Sequence, residues 1–129
     1  MIEILNNMPD GVAGFAAKGR VTRKDYEDVL IPKMLELLDA HKTVRCYYEL
    51  GPEFSGMDPG AAWEDFKLGI EHLTRWERLA IVTDVEWIRM TLNIFRFLMP
   101  GELRLFATSN AAQARNWIAE ANAGANPAL

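Results

Sequence analysis

Cysteine is almost missing from this 129-residue chain. Cys46 is the single one, so no disulfide can form within it and a cysteine metal site has no ligands to draw on. Histidine is nearly as scarce: His41 and His72 stand far apart with no neighbouring ligand spacing, so no metal is expected. An excess of positive charge is missing too. With 14 Lys and Arg against 18 Asp and Glu, the net charge is -4, which leaves no basic stripe for phosphates and excludes nucleic acid as a partner. No apolar run is long enough to cross a bilayer, since the stretch 90–99 is flanked by Arg89, interrupted by Arg96 and closed by Pro100, well short of about 20 residues. Met1-Ile2-Glu3-Ile4-Leu5 has neither a basic start nor a long apolar core, so no signal peptide is expected and the cytoplasm is the expected compartment.

Reaction motifs are equally thin. There is no Ser-His-Asp order, no glycine elbow and no activated cysteine, and Gly51, Gly56 and Gly60 lack the spacing of a phosphate cradle. No cofactor and no enzymatic activity are expected. What remains is an ordinary globular composition, 50% hydrophobic and 25% charged, in one domain over 1–121 with an Ala/Asn/Gly/Pro tail at 122–129 expected to fray.

The pattern along the chain is that of an α/β fold. Residues 2–5 and 12–19 read as strands joined too closely for a parallel crossover, hence as an antiparallel hairpin. Ala13, Gly14, Ala16, Ala17 and Gly19 in the second strand imply that something packs close to its backbone. Thr22 with Asp25 opens a helix whose apolar stripe includes Tyr26, Leu30, Met34 and Leu38, with a kink expected at Pro32. A third strand covers 43–50. Asp58 and Pro59 form an N-cap and first-turn pair for a second helix carrying Trp63, Phe66, Ile70 and Leu73. The run 79–83 is apolar almost without alternation, as in a strand covered on both faces. A third helix begins near Asp84 or Val85 and stops before Pro100, a fifth strand spans 102–106, and a last helix starts at Ser109 or Asn110.

Two features bear on function. Glu49 and Asp84 end neighbouring parallel strands, where ligands of such sheets bind; they serve either as structural caps or as an acid pair. The second is an apolar surplus: Phe97, Leu98 and Met99 cannot all face one side of a helix, so some of the cluster faces solvent, a cavity or another molecule.

Tyr48-Glu49-Leu50, Phe54-Ser55-Gly56, Ala62-Trp63-Glu64-Asp65, Ala80-Ile81-Val82-Thr83-Asp84 with Trp87, and Pro100-Gly101-Glu102 with Phe106 together resemble the SpoIIAA-like family, relatives of STAS domains. The resemblance implies a small, mixed, mostly parallel five-stranded sheet in a right-handed β-α superhelix with four main helices, similar to the core of CRAL-TRIO lipid-transfer domains. In sporulation antagonists of the STAS group a serine after Met-Asp is phosphorylated. Here the loop reads Met57-Asp58-Pro59-Gly60, so proline stands at that position and the switch does not carry over.

The leading expectation is a non-catalytic domain binding an apolar small molecule or lipid-like ligand, with transient membrane contact. Phe54, Trp63, Phe66, Trp87, Met90, Phe95 and Leu98 would line its pocket, and the loop 54–60 and the third helix would open as a gate. Phe97, Met99, Arg89 and Arg96 are the candidates for an interface or membrane-facing surface. The alternative is a protein-interaction module acting as a homodimer through the same helix.

Overall fold

The computed structural model describes residues 1–120, with the backbone alone of Phe66; residues 121–129, and so the segment expected to fray, lie outside the described residues. Strands β1 (Ile2–Leu5), β2 (Val12–Ala17), β4 (Val44–Leu50), β6 (Trp76–Thr83) and β7 (Glu102–Phe106) form one sheet in the order β1-β2-β4-β6-β7. β1 runs antiparallel to β2, as the short connection requires, and the other pairings are parallel. β3 (Gly19–Val21) and β5 (Phe54–Met57) make a separate parallel pair. The strand expected over 12–19 therefore ends early: Gly19, at φ +62°, turns the chain out of the main sheet.

The first helix, α1, is continuous over 23–40 in three parts: Arg23–Asp25, a π-helical turn Tyr26–Leu30, and Ile31–Ala40. Thr22 and Asp25 cap it reciprocally. The kink expected at Pro32 takes the form of the π turn. Proline has no N–H for the usual bond four residues back, and just before it the Ile31 N–H reaches five back to the Tyr26 carbonyl. Helices α2 (Pro59–Glu71), α3 (Glu86–Phe95) and α4 (Ala111–Ala119) complete the set.

Alternation along the strands builds two cores. Val44, Cys46, Tyr48 and Leu50 of β4, with Phe15 of β2 and Ile81 of β6, face α1, α2 and α3. Tyr47, Ala80 and Val82 face the other way, against Ala114, Trp117 and Ile118 of α4. A bulge between the first pairs of β4 and β6 lets Trp76 join the first core while Arg78 lies under α4. The close packer implied by the small residues of β2 is Met8: a Cβ on Gly14 would lie 2.7 Å from its side chain.

Candidate functional site

Helix α3 divides into three sectors at 3.6 residues per turn. Ile88, Leu92 and Phe95 point into the first core, and Met99 follows them there. Arg89, Asn93 and Arg96 fill the next sector. The third is apolar and bare: Trp87, Met90 and Ile94, extended by Phe97 and Leu98, are exposed from 51% for Trp87 to 88% for Phe97. Trp63 and Ile70 on α2 add two further exposed apolar side chains. The helices touch where a Cβ on Gly69 of α2 would come within 3.3 Å of the Phe95 ring, next to Ile70.

This placement sorts the expected site residues. Trp63, Trp87, Met90 and Leu98 lie at the surface with Phe97, while Phe95 is half-buried against the core; the side chain of Phe66 lies outside what the structure describes. Met99 was expected to face outward and is instead buried, because it falls one turn beyond Phe95 on the inner side. The expected gate at 54–60 is also corrected. Phe54–Met57 is strand β5, paired to β3, and Phe54 packs against the core. Arg89 donates from Nη1 to the Thr83 carbonyl at 2.9 Å, and exposed Arg96 donates to Asn93 at 3.1 Å.

The two acids at the strand ends are both occupied. Asp84 accepts the Thr108 backbone N–H at 3.0 Å, and that bond holds its carboxyl below the usual range. It thus caps the 3₁₀ turn Thr108–Asn110 rather than the helix that follows it, whose N-cap is Val85. Glu49 accepts from the Tyr47 hydroxyl at 3.0 Å; burial, with this bond second, pushes Tyr47 up to about 12. Asp58 does sit at the N-cap of α2, but its carboxylate pairs with Arg20 instead of capping. The cations Lys18, Arg23 and Lys24, close together in the chain, meet acids at the surface: Lys18 meets Glu3 and Glu53, Arg23 meets Glu27, and Lys24 meets Asp28.

Two open clefts, of about 300 and 350 Å³, flank the β1–β2 connection at the starts of the parallel strands. Met8, Asp10 and His41 line one, and Arg45, Glu77 and Ile118 the other. The rim expected to hold ligand is at the opposite strand ends.

A buried polar cluster escaped the sequence reading. Beneath α2, the Tyr26 hydroxyl donates to Asp65 Oδ1 at 2.9 Å and lies 3.0 Å from the Tyr48 hydroxyl. Burial pushes the Asp65 carboxyl up to about 6, against the opposing pull of the Tyr26 hydrogen bond. Burial likewise raises Tyr26, Tyr48 and the Cys46 thiol, which keeps that cysteine inert. The signal was present in the spacing: Asp65 lies four residues after Ala61 and three before Leu68, both of which face inward.

A family model described as SpoIIAA-like matches residues 12–119, from the first residue of β2 to the last of α4. The chain belongs to the SpoIIAA-like family. A search of curated proteins gives no match. Among solved structures, this SpoIIAA-like chain is similar to an uncharacterised protein of the DUF3478 family from Shewanella loihica, itself with a SpoIIAA-like fold. The two are 28% identical, the match covers 92% of each chain, and the TM-score is 0.71. In this SpoIIAA-like domain Pro59 is the first residue of α2, where its fixed φ suits the first turn and its missing N–H costs nothing.

Proposed function

We propose that this SpoIIAA-like domain is a non-catalytic binding module that takes an apolar, lipid-like ligand at a membrane surface, through the outer stripe of α3 with Trp63 and Ile70 of α2. The observation that carries this reading is that α3 is apolar on two separate sides, one buried and one bare. Closing the core needs only the inner stripe. The outer one leaves apolar area in water at a cost of about 25 cal/mol per Å², which a covering ligand or bilayer recovers. Trp87 and the exposed Arg96 suit such a boundary, where indole rings and arginine heads sit at headgroup level above buried aliphatic groups. No helix among the described residues is long and apolar enough to cross a membrane, so the contact would be peripheral.

Co-sedimentation with phosphatidylcholine vesicles, with and without phosphatidylglycerol, tests this. Wild-type protein should pellet with the vesicles, and Ile94→Asp combined with Phe97→Asp should lower the bound fraction about tenfold without changing the fold by circular dichroism. Wild-type protein that stays in the supernatant with both vesicle types would remove the lipid reading.

A second reading is favoured by area. At about 200 Å² for a fully exposed large apolar side chain, the two helices bare roughly 800 Å², one partner's share of a standard interface. A homodimer in native mass spectrometry that the same double substitution splits would favour self-association over lipid.

A further inference from the structure

The helix that carries Trp63 is fastened in an unusual way. Among its described side chains Ala61 and Leu68 join the buried hydrophobic core, and much of its attachment to β3 and α1 is polar. Arg20 pairs with Asp58 just before the helix, Arg23 meets buried Glu64 at 3.3 Å, and Tyr26 donates to Asp65. Asp65 lies at the centre of this attachment, between α1 and β4. Facing it are Tyr26 from α1, and Tyr48 and Cys46 from β4. The nearby cation of α1, Arg23, pairs with Glu27 and Glu64; on α2 itself Lys67 lies 3.8 Å from Glu64. Asp25 adds a further negative charge acting on Tyr48. Among the described residues, the hydroxyls of Tyr26 and Tyr48 therefore meet an acid whose closest partners are neutral.

We propose that Asp65 is a proton-dependent latch, which in its neutral form holds α2 down on α1 and β4 and on ionising frees α2 to lift about Asp58-Pro59-Gly60. A neutral carboxyl keeps the Tyr26 hydrogen bond without placing charge in an apolar core; an ionised one keeps that bond but loses its water. Asp65 as a residue retains some exposed surface, which gives the proton a way in and out. Because burial pushes the carboxyl up to about 6 from 3.8, the closed form binds the proton more tightly than the lifted one. Closure is then strongest below the ordinary carboxyl range and weakens as pH rises through about 6. The Trp76 indole N–H, bonded to the Gly69 carbonyl at 3.2 Å, holds the far end of α2 and makes lifting a hinged motion. This inference concerns the helix alone and stands whether or not the outer face binds lipid.

Amide hydrogen exchange of the α2 segment in the ligand-free protein tests it, with rates corrected for intrinsic pH dependence. Protection over 61–71 should fall about tenfold between pH 5 and pH 8, the change expected from a carboxyl moving from 3.8 to about 6. Protection over β4 and β6 should stay level. Asp65→Asn should abolish the pH dependence of α2 while leaving it protected, and Tyr26→Phe should move the midpoint upward by removing the bond that favours the charged form. A wild-type profile flat across this range overturns the latch, as does an Asp65→Asn profile that still falls. Should Asp65→Asn fail to fold, carboxyl-carbon NMR of the wild type decides: a midpoint near 6 supports the latch and one below 4.5 overturns it.

Discussion

Helices α4 and α3 each carry a tryptophan and each pack on the sheet, but they spend their apolar residues differently. α4 turns Trp117 inward, where it is 4% exposed with the Arg78 and Arg104 guanidiniums 5.0 and 4.7 Å from its ring. Its closing carbonyls are also taken: Arg78 donates to that of Trp117 at 2.8 Å and Arg45 to that of Ile118 at 2.9 Å. Ala112, Gln113 and Asn116 are left for solvent. α3 turns Ile88 inward and leaves Trp87, Met90 and Ile94 outside. One helix is consumed in closing the fold, whereas the other closes it and has a second apolar side to spare. A tryptophan in a short amphipathic helix is therefore informative only once its sector is known.

The comparison can be broken from either side. Its largest expected effect is at α4: Trp117→Ala should lower unfolding free energy by about 3–5 kcal/mol in urea denaturation, since it empties the second core and unstacks two arginines. A loss below about 1 kcal/mol would mean that α4 is no more essential to closure than α3's outer side. Arg78→Met should cost about 1–2 kcal/mol in the same assay, because the Trp117 carbonyl loses its charged donor and keeps only the longer bond from the Glu120 N–H at 3.2 Å, while the aliphatic packing is largely kept. The smallest effect is expected on α3, where Ile94→Asp should change stability by no more than about 0.5 kcal/mol. A cost of 2 kcal/mol there would show that the outer stripe is packed, and the distinction between the helices would vanish.

Much of the architecture was legible because it is written in local patterns. The unbroken apolar run of β6, the short turn between β1 and β2, and the Thr22–Asp25 capping box each specify their own geometry. The surplus on α3 was legible too, since Phe97, Leu98 and Met99 could not all face one side of a helix, but which of them turns inward was not. Strand β5 was not, because Ser55 and Gly56 are weak strand formers and its partner β3 lies far away in the chain. Asp65 was passed over because an acid beside Glu64 reads as solvated, and only the surrounding Tyr26 and Tyr48 make it a buried one. Asp58 and Asp84 show the same limit: position was readable, but the partner each carboxylate chose, Arg20 or the Thr108 amide, came from elsewhere in the chain.

The sheet order has a consequence for how the chain is made. Among the described residues, α4 is the one helix on the face bearing Tyr47, Ala80 and Val82, and it leaves the ribosome after every strand of the sheet it covers. Three helices can settle on one side of the nascent sheet as it emerges, while the other side waits, wet and sticky, for its single cover. Chaperone attention during synthesis should fall on that waiting side, and a ribosome stalled before Ala111 would hold a chain with half its interior already built and the other half still open to water.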